Sequence, residues 1–146
     1  MIVQTIQLAL TPVFVLVAIG NILNILSTRL GRVVDRARAL QAMHVETQGP
    51  DHDMVVREIR IIDKRITIIT RAIRLMVLSG LSIGTTVVLL FLEGLLASDL
   101  NLIAAITFLA SIVLLLFALV LFLRETQIAA EALRIPRDYL ELERDI

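Results

Sequence analysis

Three stretches of this chain carry no charged side chain: residues 1–28, 75–92 and 100–123. Each reaches the roughly 18 residues that an apolar helix needs to cross a bilayer. The pattern predicts membrane spans over 10–29, 75–96 and 101–123. Thr11-Pro12 reads as a helix cap followed by Pro at the first helical position, leaving 1–10 as a short segment on the outer surface. One helix running through Pro12 with a kink is the alternative.

Between the first two spans the apolar positions change rhythm. Leu26, Leu30, Val33, Ala37, Leu40 and His44 alternate steps of four and three. So do Val55, Ile59, Ile62, Ile66, Ile69, Ile73 and Met76. Gly49-Pro50 separates the two series and reads as a turn. Two heptad seams joined by a turn predict that spans one and two extend into an antiparallel coiled-coil hairpin over 30–74. Asp53 and Arg57 are spaced to pair on its outer surface. Residues 124–146 read as an amphipathic C-terminal helix, interrupted by Pro136. The fold class is therefore an all-α integral membrane protein.

Charge gives the topology. Of the 14 Lys and Arg, all lie in 29–74 or after residue 123, none in the N-terminal stretch or the 93–101 turn. The positive-inside rule then places the hairpin and the tail in the cytoplasm and the N-terminus outside. The tail carries four basic and six acidic residues and the hairpin segment ten and six, so tail and hairpin are expected to attract. With no Cys, disulfides, thiolate metal sites and cysteine nucleophiles are excluded.

The first span holds the least expected residues. Phe14, Val17, Asn21, Asn24, Thr28, Arg32 and Asp35 share one helical face, apolar at one end and charged at the other. Counted back from Arg29, Asn24 lies about 7 Å and Asn21 about 12 Å inside the membrane. Amides at that depth need protein or water beside them. Hydrogen bonding to the other two spans is the general expectation. The sharper reading is a homo-oligomeric pore lined by Phe14, Val17, Asn21, Asn24 and Thr28, with Glu93 and Asp99 at its outer mouth. An interfacial Glu is more often simply solvated.

Arg29, Arg32, Arg36 and Arg38 are candidates for anionic lipid headgroups, or anchors whose charge Asp35 offsets through Arg32 and Arg38. Gly80, Gly84 and Ser111 are candidates for close helix packing. His44, Glu46, Asp51, His52 and Asp53 crowd the hairpin tip, but their spacing matches no metal-ligand pattern. There is no HExxH, GxSxG, P-loop or GxGxxG, so neither an enzyme nor a cofactor is expected. Nucleic-acid binding does not fit basic residues held close to the bilayer.

The segments "ALTPVFVL" (9–16), "STRLGRVVDRARAL" (27–40) and "FLRETQIAAEALRI" (122–135) resemble a family of small bacterial membrane proteins catalogued as a domain of unknown function. The resemblance implies a three-span protein of the bacterial inner membrane and carries over no activity, cofactor or substrate. Two function classes fit these readings. One is the homo-oligomeric channel. The other is a non-conducting scaffold whose hairpin binds a cytoplasmic protein partner or anionic membrane lipids.

Overall fold

The computed structural model describes residues 2–96 and 99–132, which form three helices: α1 (Ile2–Glu46), α2 (Pro50–Leu96) and α3 (Asn101–Ala132). No strand occurs among the described residues. The predicted amphipathic tail falls mostly on 133–146, outside the described residues; its first part, 124–132, continues α3 without a break.

All three helices are long and apolar enough to cross a membrane. At 45 and 47 residues, α1 and α2 are each about 70 Å long, more than twice the roughly 30 Å of a hydrocarbon core. Their apolar halves supply the spans and their charged halves project beyond. The helix break expected at Thr11 is not there. Helix α1 runs through Pro12, the continuous alternative, so Thr11 is not a cap. A proline this near a helix end removes one hydrogen bond from a ladder that has few upstream residues to hold.

Gly49 makes the turn between α1 and α2, and its φ of +67° lies in the left-handed region that favours glycine. The backbone of Thr47 donates to Met43 O at 3.0 Å, and its hydroxyl to the same oxygen at 2.9 Å. The chain then reverses. Arg36 meets Glu58 at 2.7 Å, and further along Ile19 and Leu16 flank Gly80, so α1 and α2 lie antiparallel.

Burial repeats every seventh residue. On α1 the buried series is Pro12, Ile19, Leu26, Val33 and Leu40. It packs with Ile62, Ile69, Met76 and Ile83 of α2 into one core. A second buried series on α2, Ala72, Ser79 and Thr86, serves α3, whose own series is Ala104, Ser111, Ala118 and Glu125. Ser79 donates to Ser111 O at 2.7 Å and Ser82 to Thr107 O at 2.9 Å. Helix α2 is thus central, and α1 and α3 barely touch each other.

The expected glycine packing is only half realised. A Cβ on Gly80 would meet Ile19 and Leu16 at ordinary contact distance, and one on Gly84 would meet nothing within 4 Å. Ala and Ser, not Gly, provide the close approach to α3.

Candidate functional site

Glu125 stands one heptad beyond Ala118, so the helical repeat that buries Ala104, Ser111 and Ala118 turns it inward. Arg65 stands one heptad before Ala72 on the facing stripe of α2. Each stripe of small residues therefore ends in a charge, and the two charges meet.

The Glu125 side chain has no solvent exposure. Arg65 grips its Oε1 with two donors, Nε at 3.1 Å and Nη2 at 2.9 Å. Arg29 of α1 brings Nη2 to 3.1 Å from the other oxygen, Oε2, outside hydrogen-bond alignment. Arg29 thus contributes charge where Arg65 contributes direction. Its Nη1 donates to Thr126 Oγ1 at 3.3 Å, and its guanidinium carbon lies 5.3 Å from the Phe122 ring centre, a cation–π contact. This cluster joins α1 to α3.

Beside it opens a groove of about 460 Å³, lined by Asn24, Ile25, Thr28, Arg29, Arg32, Val33 and Arg65. Arg32 is exposed and makes no ion pair among the described residues. The Thr28 hydroxyl donates to Asn24 O at 3.0 Å, leaving its lone pairs and the Asn24 side chain available.

The predicted polar face of α1 is a real face, but not one buried within the chain. Phe14, Val17, Asn21, Asn24 and Thr28 are all exposed, Phe14 at 70% and Val17 at 59%. Neither asparagine side chain bonds α2 or α3, so hydrogen bonding between spans of one chain does not account for them.

Their level also differs from a count along α1. Interpolating between the Ile19–Gly80 and Arg36–Glu58 contacts sets Asn24 level with Arg71–Arg74 of α2. Arg71 and Arg74 are exposed.

Asp35 is exposed and pairs with neither Arg32 nor Arg38, and Asp53 does not pair with Arg57; Arg36 instead reaches across to Glu58, with Nε at 2.8 Å. Among the described residues the expected attraction between the tail and the 29–74 segment rests on Glu125, which pairs with both Arg65 and Arg29. At the far end Glu93 is half-buried, with Oε2 lacking a hydrogen-bond partner among the described residues. Asp99 there is exposed and accepts from Asn101 Nδ2 at 3.4 Å. At the hairpin tip the ring centres of His44 and His52 lie 4.5 Å apart, with the ring planes tilted by 55°. No three potential metal ligands converge among the described residues.

The family model described as "Protein of unknown function (DUF2721)" matches residues 9–135. The chain belongs to this family. No curated protein and no solved structure matches it. What is shown of this DUF2721 chain is thus a membrane-spanning helical protein in a family without an assigned activity. The match takes in all of the Arg29–Glu125–Arg65 cluster. Sequence reasoning placed Arg29 at the membrane edge but missed both of its companions. The missed signal was the heptad: the series Ala104, Ser111, Ala118 needs one more step to reach Glu125.

Proposed function

We propose that this protein is a non-conducting membrane scaffold that presents its α1–α2 hairpin to a protein partner in the cytoplasm of a bacterial cell. The carrying observation is the hairpin tip. Val45 is 84% and Met54 72% exposed, and Met43, on the same end of the hairpin, is exposed too. Apolar side chains in water at the end of a rigid arm, far from lipid, are an unsatisfied surface of the kind that partners cover. The arm is long: from the Arg71–Arg74 level to the turn it extends about 33 Å. The lopsided basic charge supports the cytoplasmic orientation.

The helix register supports this reading over conduction. Arg71 and Arg74 are exposed on the face of α2 left free by both neighbours, where their charges must reach headgroups or water. Asn24, level with them, then lies near the membrane edge and Asn21 about a turn deeper. Amides so placed need no aqueous lumen.

A homo-oligomeric pore is the second reading. It is favoured by the common exposure of Phe14, Val17, Asn21, Asn24 and Thr28 on one face of α1, which symmetric assembly would cover. Glu93 and Asp99 would then stand at the outer mouth.

One set of proteoliposomes separates the two. The chain has no Cys, so Asn21→Cys introduces a unique thiol. The scaffold reading expects no ion flux above empty vesicles and no disulfide-linked dimer from Asn21→Cys. In intact cells, the scaffold reading also expects a photo-crosslinker at position 45 to capture a single protein, lost on Met54→Asp. Flux that Asn24→Leu alters, with Asn21→Cys dimers forming, would establish the pore instead.

A further inference from the structure

We propose that the groove between Asn24 and Arg65 binds the phosphate headgroup of an anionic lipid, independently of either reading above. Three guanidiniums, Arg29, Arg32 and Arg65, border it. One carboxylate, Glu125, is set against two of them. The remaining charge is close to +2, beside a membrane edge.

The donors suit a phosphate. Among the described residues nothing engages the planar fork of Arg32, and such a fork matches phosphate oxygens two at a time. Arg29 and Arg65 are held in place by Glu125, so their outward N–H groups are oriented before a ligand arrives. The Asn24 amide adds a neutral donor. Glu125, with both oxygens turned to the arginines and no solvent exposure, serves as a positioning residue and does not meet the ligand.

Position selects the source of the phosphate. The groove begins at Asn24, on the Arg71–Arg74 level, and Ile25 and Val33 form its apolar lining. A lipid in the leaflet reaches this depth with its headgroup while its glycerol and upper acyl carbons lie on Ile25. A free phosphate would gain the charges but leave the apolar lining uncovered. The volume of about 460 Å³ accommodates a headgroup. Among the sequence candidates, Arg36 is engaged by Glu58 and Arg38 does not line the groove. The structure thus narrows four arginines to Arg29 and Arg32 and adds Arg65.

Native mass spectrometry of the detergent-purified full chain tests this, with phosphatidylglycerol, phosphatidylcholine and inorganic phosphate as probes. Phosphatidylglycerol is expected to bind, with phosphatidylcholine at least fivefold weaker. Inorganic phosphate at tenfold excess is expected not to displace it. Arg32→Gln should weaken phosphatidylglycerol binding about fivefold, the worth of one near-surface charge. Arg38→Gln should change it less than twofold. Arg32 makes no ion pair among the described residues, so its variant should fold; should it not, Asn24→Ala, which removes the neutral donor and is expected to weaken binding about threefold, takes its place. Equal losses in Arg32→Gln and Arg38→Gln would reduce the effect to general surface charge and overturn the site. Equal binding of phosphatidylcholine would overturn the requirement for net negative charge, and displacement by inorganic phosphate would overturn the lipid source.

Discussion

Helix α2 has two neighbours and meets them with different chemistry. Toward α1 it offers Ile62, Ile69, Met76 and Ile83, which pack on Ile19, Leu26, Val33 and Leu40. Toward α3 it offers Ala72, Ser79 and Thr86, which face Ala104, Ser111 and Ala118. The reason lies in the surroundings. Much of the α1–α2 seam runs beyond the bilayer, where large apolar side chains are driven together by water. The α2–α3 contact lies mostly in lipid, which is as apolar as leucine and supplies no such drive. There close approach and hydrogen bonds must hold the pair, and small residues permit both. Where α3 leaves the lipid, the stripe changes from Ala to Glu125 and association becomes ionic.

Glu125→Ala should expose this contrast most. It strips the carboxylate from between Arg29 and Arg65 and releases α1 from α3. Removing one partner of a buried ion pair typically costs about 3–5 kcal/mol, because the others are left without compensation. Unfolding in mixed detergent micelles should show a loss of that order. Glu125→Gln, which keeps the shape, should lose somewhat less. A variant as stable as the parent would mean that the cluster is an incidental contact and that α1 and α3 need no tie.

The same contrast explains what the sequence disclosed. Helices, spans and turn were legible because each rests on local chemistry: charge-free runs, a seven-residue rhythm, and glycine at a left-handed φ. The α1–α2 seam was legible for the same reason, since bulky residues at heptad spacing announce themselves. The α2–α3 contact was fainter. Ala, Ser and Thr are common everywhere, and the glycines that drew attention, Gly80 and Gly84, are not its contact points. Glu125 was invisible as a site because a charge just past an apolar run reads as the start of a solvated tail. The level of Asn24 needed the register between two helices, which no count along one helix contains. Asp35 failed to pair as expected because helical spacing permits a contact without requiring it.

A cavity in the water-facing part of the α1–α2 seam should rank next. Leu40 is 1% exposed, at the hairpin end of its series. Leu40→Ala removes buried methyl groups from a contact that water drives, at a cost of about 2–5 kcal/mol. Loss of helical signal on heating should begin at a lower temperature, and proteolysis should start in the hairpin while the spans stay intact. Simultaneous loss of spans and hairpin would show that the two halves of α2 unfold as one unit, and the division by solvent would lose its energetic meaning.

The smallest effect is expected where the contact is most intimate. Ser79 is fully buried and donates to Ser111 O at 2.7 Å, so Ser79→Ala deletes one hydrogen bond between α2 and α3 within the membrane. In water-soluble cores a buried donor lost from a carbonyl often costs more than a kilocalorie per mole. In lipid the cost is about 0.6–1.7 kcal/mol, because the unfolded helix also finds partners for its polar groups. The Ser111 carbonyl keeps its place in the helix, and alanine preserves the close approach. Ser79→Leu should therefore be far worse than Ser79→Ala, since it separates the helices where alanine only removes a bond. If both variants lost the same stability in detergent micelles, hydrogen bonding rather than small size would hold α2 to α3.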